Sequence, residues 1–355
     1  MTPAATFADQ LRDRLEALRE GPAFRAYLDA REHVLAMKQR GQSAPYAGPS
    51  GYWREELANF EYLLDASPLV IERLRHHCFH VTGIRVYDYR THRPSGDFER
   101  KLRALIRLGG RELLVPEPRA LGGFGFEIDG ELYNLDTLKF YEVLIALSRG
   151  GVLGELRARP ERKLIWEIGG GWGGFAYQLK TVMPDTTYVI TDLPELFLFS
   201  GVYLRTLFPE ARVLFFDGAR PDELERWSEY DFILSSNADL DALRLPRVDL
   251  ALNMVSFQEM ASEQVRRYVE RADSLAAPYL YSLNRDRSPY NRELTSVREV
   301  IGERYWPRII PVLPVPYNRT LDRASILRSR VRRLTGAAAE DLDYRHVLGV
   351  RRRST

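Results

Sequence analysis

A single cysteine, Cys78, stands in the 355 residues, which excludes an intramolecular disulfide and any multi-cysteine zinc site and points to a reducing compartment. Long hydrophobic runs are missing as well. No apolar stretch reaches the roughly 18 residues a membrane helix needs. The first twenty residues carry Arg12, Arg14 and Arg19 among acids, with neither the apolar centre nor the small-residue cleavage pattern of a leader. The expectation is a cytoplasmic chain with no membrane partner. A large charge of one sign is also absent: the formal balance is +2. Arginines gather at Arg323, Arg328, Arg330, Arg332 and Arg333 and again at Arg351 to Arg353, but no interleaved aromatics or binding motif accompany them. They are read as solvated faces, and no nucleic-acid partner is expected. Histidine and acidic residues show no close ligand spacing, so no required metal is expected.

What remains is ordinary globular material, 45% hydrophobic and 28% charged, in a chain longer than a typical single domain. Two units are expected, residues 1–150 and 151–355. The first is mainly helical. Phe7, Leu11, Leu15 and Leu18 make an amphipathic stripe, a Gly, Ser and Pro break spans Gly41 to Gly51, and Tyr52 to His80 resumes helical spacing through Leu57, Phe60, Leu63 and Leu64. Two strand-like pieces, Glu112 to Val115 and Phe124 to Ile128, with Asp129-Gly130 as a turn signal, predict a small antiparallel element. Asp136 is placed to cap a helix running through Leu138, Tyr141, Leu144 and Leu147 to Gly150-Gly151.

From Lys163 onward strands and helices alternate, the texture of a doubly wound α/β sheet. Strands are expected at 163–168, 187–191, 231–236, 248–254 and 278–284, with later ones at Trp306 to Val315 and Arg345 to Val350. Val213 to Asp217 reads either as the third strand or as an edge insertion. The first of these strands runs straight into Glu167-Ile168-Gly169-Gly170-Gly171-Trp172-Gly173-Gly174, and Asp192 ends the second. Glycines let a chain turn tightly and let its backbone approach a ligand. A carboxylate two residues before the first glycine can meet an ammonium group, and one at the end of the next strand can meet a ribose diol. The same residues also fit a dinucleotide fingerprint, Gly169-x-Gly171-x-x-Gly174, with Asp192 near the ribose-binding offset. Glu167 would face a pyrophosphate unfavourably in that case.

The glycine turn and Asp192 resemble motif I and the acidic loop of class I S-adenosylmethionine-dependent methyltransferases. With Asp192-Leu193-Pro194-Glu195, Asn253 to Met260, Leu121 to Gly125 and Asn134 to Leu138, the chain resembles the bacterial sugar O-methyltransferases of the nanchangmycin type, over roughly residues 45 to 350. That resemblance implies a Rossmann-like, seven-stranded sheet whose sixth and seventh strands are antiparallel, beneath an N-terminal helical cap. It implies S-adenosyl-L-methionine as donor and a deoxysugar, glycosylated product or surface glycan as acceptor, a small-molecule sugar or glycoside partner. The donor site is expected to comprise Glu167, Gly169, Gly171, Gly173, Asp192, Leu193, Ser236, Asn237, Ala238 and Asn253, with Asp217-Gly218 as a rival adenine loop.

Methyl transfer to a hydroxyl requires removal of its proton. In plant-type relatives a base-bearing His-Asp pair follows the fourth-strand acid by about nine residues, and here that offset from Asp249 falls on Gln258-Glu259. Both are candidate catalytic residues, with Glu259 as the base; its alternative reading is an acid in the first turn of a helix starting nearby. His76, His77, His80 and His92 are the fallback bases if the N-terminal unit folds over the cleft. Tyr141, Asn284 and Asp286 are candidate substrate contacts. Trp172, Tyr141, Phe257, Tyr281 and Tyr290 are aromatics near the same cleft that could form a platform for a sugar ring or for adenine; core packing is the default for each except Trp172, which sits inside the glycine turn and must turn toward the protein or over the cofactor, with packing expected.

Overall fold

A computed structural model describes residues 6–41, 51–90, 96–286, 296–313 and 344–352. Its centre is an eight-stranded sheet. After a small hairpin of β1 (Phe126–Ile128) and β2 (Glu131–Tyr133), the sheet strands are β3 (Lys163–Ile168), β4 (Thr186–Asp192), β5 (Val213–Phe216), β6 (Phe232–Ser236), β7 (Leu250–Met254), β8 (Tyr279–Arg285), β9 (Tyr305–Ile309) and β10 (Tyr344–Arg351). Their order is β5-β6-β4-β3-β7-β8-β10-β9. All six residues of β3 and all seven of β4 are buried, as befits central parallel strands covered on both faces.

The chain steps outward from β3 to β4 and β6, then returns to lay β7 on the other side of β3. Loops at the carboxyl ends of β3, β4 and β7 therefore converge where strand order reverses, the place where open α/β sheets bind ligands. The expected seven strands become eight because Val213–Phe216 pairs with β6 as an extra parallel edge strand, while β6 is the third strand. The rim is also corrected. Only β10 runs against the rest; β9 pairs antiparallel to β10 and so points the same way as β8.

Two apolar layers sandwich the sheet. Leu164, Trp166 and Ile168 of β3 face the helix Ser262–Ser274 side, whereas Ile165 belongs to the larger cluster on the opposite face. That larger cluster extends without a break from Ala26 and Val34 through Leu144 to Leu348, so the N-terminal helices share their core with the sheet. Helix Pro22–Gly41 lies along Phe197–Leu207, tied by Arg205 to Asp29, and His33 stacks on Phe215 of the edge strand at 4.5 Å. A buried polar chain joins further layers. Lys101 pairs with Glu142 at 2.7 Å, Glu142 faces His346 at 3.6 Å, and His346 Nδ1 meets the Tyr281 hydroxyl at 2.6 Å.

Other differences have local causes. The first 40 residues form two helices, because Gly21-Pro22 ends Phe7–Glu20 and starts Pro22–Gly41. Tyr52 to His80 is helical in pieces, the helix Gly51–Asn59 followed by single turns, with breaks near Ala66 and Arg73. Glu112 to Val115 begins as a single 3-10 turn, Arg111–Leu113, after Gly110 at φ +78°, and among the described residues no strand pairs with it. Asn134, not Asp136, caps Leu135–Arg149: its side chain accepts from the Thr137 N–H while the Thr137 hydroxyl accepts from the Asn134 N–H. Residues 42–50, most of the expected Gly41 to Gly51 break, lie outside the described residues.

Candidate active site

The turn after β3 is built by three glycines in the left-handed region, Gly169 (φ +73°), Gly171 (φ +55°) and Gly173 (φ +84°). Space is as restrictive as dihedral angle. A Cβ on Gly169 would sit 2.1 Å from Ser256 Oγ, and one on Gly171 would meet Val81 at 2.9 Å. Val81 belongs to the N-terminal region, so that region already packs against the glycine turn. Trp172 turns away from the cleft into protein, 3% exposed, edge-on to Tyr203 and with the Arg75 guanidinium 3.7 Å above its ring.

Glu167 and Asp192 end adjacent strands on either side of this turn. Glu167 is 1% exposed and accepts a 2.9 Å hydrogen bond from the Tyr188 hydroxyl. Burial pushes its carboxyl up to about 8; the Tyr188 donor opposes this, and the charge of Asp192 adds to it. Asp192 accepts from the backbone N–H of Gly171 and of Leu193, both at 2.7 Å. Burial raises it to about 7 against those two donors. Thus Asp192 and Leu193 fasten the glycine turn to the end of β4.

Ser236 ends β6 and caps the 3-10 turn Asn237–Asp239, its Oγ accepting from the Ala238 N–H at 3.2 Å. The end of helix Pro22–Gly41 comes down on this loop. A Cβ on Gly41 would contact Ala238 at 3.7 Å, Arg40 pairs with Asp217 at 3.6 Å, and Lys38 pairs with Glu195. Gly218 abuts Asp239, so the two candidate adenine loops lie side by side. Asp249 is at the other end of the sheet: it accepts from the Leu164 N–H at 2.7 Å and pairs with Arg159 at the amino end of β7.

The chain leaving β7 is strained. Val255, a β-branched residue, adopts φ +69°. Asn253 holds this bend: its Nδ2 donates to Ile168 O at 2.7 Å and to Ser256 Oγ, and its Oδ1 accepts from the Phe257 N–H and from Asn284 Nδ2. Asn284 also donates to Ser282 and accepts from the Gln258 N–H. Gln258 accepts from the Arg285 N–H at 3.0 Å and donates to the Tyr344 hydroxyl. These three amides satisfy buried backbone groups and brace the loop.

Glu259 is different. It is half-buried in the 3-10 turn Phe257–Glu259 that this brace presents, and its Oε2 accepts a 2.9 Å hydrogen bond from Trp53 Nε1 of the helix Gly51–Asn59. Burial pushes its carboxyl up to about 8; Trp53 opposes that, Asp192 and Glu56 add to it, and Lys139 draws it back. It does not start the following helix, which runs from Ser262 to Ser274.

The remaining candidates have partners of their own. Tyr141 is fully buried, donating to Leu105 O and Gly110 O between helices, and Asp286 accepts from Ser296 Oγ and the Arg298 N–H, both at 2.9 Å, at the start of Val297–Gly302. Phe257 and Tyr281 are core. His77 bonds the Tyr62 hydroxyl, His80 packs on Phe79 and His76 lies beside Gly122; burial lowers all three from the ordinary imidazole value. His92 and Tyr290 lie outside the described residues. Among the described residues no three His, Cys, Asp or Glu side chains are placed to hold a metal, and no helix is long and apolar enough to cross a membrane.

Sequence reasoning missed a buried ion network behind the glycine turn. Arg75, fully buried, donates to Glu117 Oε1 at 2.7 Å and to Asp136 Oδ2 at 2.8 Å, and Lys139 donates to Asp136 Oδ1 at 3.0 Å. Asn134 joins it by donating to Glu117 Oε2 and to Phe124 O. The glycines of Leu121 to Gly125 make room for this: a Cβ on Gly123 would lie 1.7 Å from Pro118 O, and one on Gly125 2.6 Å from Tyr133 O. The only signal was the clustering of those glycines with Asn134 and Asp136.

No family model matches the chain, and no curated protein matches it. Solved structures it is similar to include WbdD (14% identity, TM-score 0.37, 61% of this chain and 39% of that one). Another is the N-methyltransferase NodS from Bradyrhizobium japonicum (13%, 0.31, 58% and 95%). A third is magnesium protoporphyrin IX methyltransferase from Synechocystis, solved with bound SAM (11%, 0.35, 73% and 92%). The match spans about two fifths of WbdD's length. At these TM-scores the likeness is distant and carries no inference about activity or substrate.

Proposed function

We propose that the chain is an S-adenosyl-L-methionine-dependent methyltransferase and, more narrowly, an O-methyltransferase acting on a sugar hydroxyl. The observation that carries the donor assignment is the pair of buried carboxylates, Glu167 and Asp192, at the carboxyl ends of adjacent strands on either side of a turn with three left-handed glycines. Carboxylates raised by burial gain most from a cation, and the donor's ammonium and sulfonium are cations. A dinucleotide would bring a pyrophosphate instead, onto a turn where Glu167 Oε2 lies 3.0 Å from the Cβ position of Gly170.

In this reading Glu167 holds the methionine ammonium, Asp192 the ribose diol, and the Ser236 to Ala238 loop the adenine. Bound donor supplies an electrophilic methyl group on a sulfonium. Residues before about 150 form the cap side, and those after it the catalytic side. A sugar hydroxyl is far too weakly acidic to ionise beforehand, so the proton leaves as the new bond forms. Glu259 is the base in this reading, its carboxyl raised to about 8 by burial, close to the ambient pH at which general-base catalysis is most efficient. The sugar acceptor is supported by the resemblance of Asn253 to Met260 and of the Leu121 and Asn134 segments to sugar O-methyltransferases.

Calorimetry with S-adenosylhomocysteine, NAD and NADP tests the donor assignment. Binding of the first alone is expected. NAD binding without S-adenosylhomocysteine binding would replace the methyltransferase reading with an oxidoreductase one.

A further inference from the structure

Glu259 uses its two oxygens unequally. Oε2 accepts the indole N–H of Trp53 at 2.9 Å, across 206 residues of sequence, whereas Oε1 has no hydrogen bond among the described residues and is not sealed from solvent. The loop bearing Glu259 is rigid on its own side, braced by Asn253, Gln258 and Asn284. A carboxylate on such a loop still rotates about its own side-chain bonds, and nothing on that loop holds its head group. The contact that does so comes from the N-terminal helix Gly51–Asn59.

We propose that Trp53 is the positioning residue for Glu259: its indole N–H holds Oε2 so that Oε1 faces the cleft, and it favours the ionised carboxylate over the neutral acid. An indole can only donate, so it bonds an ionised oxygen better than a protonated one. The other groups acting on Glu259 are Asp192 at the end of β4, Glu56 on the same helix as Trp53, and Lys139 on Leu135–Arg149. The two acids favour the proton and Lys139 opposes it. Trp53 is the direct hydrogen-bond donor in this set. The inference rests on Glu259 as base only for its meaning in catalysis, because the bond and its effect on ionisation are measurable without an acceptor.

The test is nuclear magnetic resonance on the full chain with ¹⁵N-labelled tryptophan and ¹³C-carboxyl-labelled glutamate. The chain has five tryptophans, so the Trp53 indole signal is assigned by its loss in Trp53→Phe. In the native chain that signal should move with pH, with a midpoint near 8, and in Glu259→Gln the movement should vanish. The Glu259 carboxyl carbon, assigned by its loss in Glu259→Gln, should titrate roughly one pH unit higher in Trp53→Phe, the direction set by removing a donor to the charged form. An indole signal that ignores Glu259→Gln, or a Glu259 midpoint unmoved in Trp53→Phe, would overturn the proposal. If Trp53→Phe fails to fold, all five indole signals are followed in the native and Glu259→Gln chains, and the absence of any indole that titrates near 8 in the first and stops doing so in the second would overturn the proposal. Whether Glu259 is the base is decided separately by the turnover of Glu259→Gln, so the two ideas fail by different measurements.

Discussion

Replacing Glu167 by Gln separates the cost of its buried charge from its value to the donor. The carboxyl ionises at about 8 in the folded chain and near 4.5 when solvated, so the native state binds more protons than the unfolded one between those values. Stability should therefore fall as pH rises through that window and level off above it. The slope is at most about 1.4 kcal/mol per pH unit for one group. From pH 6 to pH 9 the window contributes two units, on the order of 2–3 kcal/mol, that Glu167→Gln does not lose. The amide keeps an oxygen for the Tyr188 hydroxyl, so packing is largely retained. Asp192 and Glu259 carry shifts of the same sign but remain in both proteins. Urea unfolding at pH 6 and pH 9, with no cofactor added, should show the variant gaining on the native chain by that amount. Calorimetry should show the opposite sense for the ligand: S-adenosylhomocysteine affinity falling roughly 10- to 100-fold, as for loss of a charge-assisted hydrogen bond. Parallel stability profiles would refute the buried, proton-retaining carboxyl. Unchanged affinity would refute its contact with the ammonium.

Three further outcomes are expected. Asp192→Ala should weaken S-adenosylhomocysteine by about 1.5–3 kcal/mol by calorimetry, through the lost ribose contact and through release of the Gly171 and Leu193 N–H groups; an unchanged Kd in a folded variant would remove Asp192 from the donor site. Glu259→Gln should lower turnover by ~10²–10⁴-fold with donor affinity nearly intact, and near-normal turnover at saturating acceptor would send the search to His76, His77 and His80. Arg75→Met should cost about 3–5 kcal/mol in urea unfolding because it strands Glu117 and Asp136 as buried, unpaired acids, and a midpoint unmoved from the native one would show that the network is dispensable.

Much of the sheet-bearing half was legible along the chain because its determinants are local. A central parallel strand is a continuous apolar run, so the runs ending at Ile168, Asp192, Ser236 and Met254 marked β3, β4, β6 and β7 to within a few residues. The glycine turn was legible because left-handed φ at positions 169, 171 and 173 strongly favours glycine. Polar residues at strand ends were ambiguous for an equally physical reason. Asn253, Gln258 and Asn284 have the residue types of a binding site, yet the fold spends them on buried backbone groups, and pattern alone cannot separate these uses. The partners of Tyr141 and Asp286 were not legible either, because helical spacing and a strand's end fix a face or a level, not the neighbour met there.

Tertiary structure alone decided what spans the chain. Trp53 meets Glu259, Arg75 meets both Glu117 and Asp136, and Val81 closes on Gly171, contacts between segments with no shared periodicity. It also decided ionisation. Glu167, Asp192 and Glu259 are plain acids in the sequence, and only enclosure by other parts of the chain, which strips water from the charged form, raises their carboxyls to about 8, about 7 and about 8.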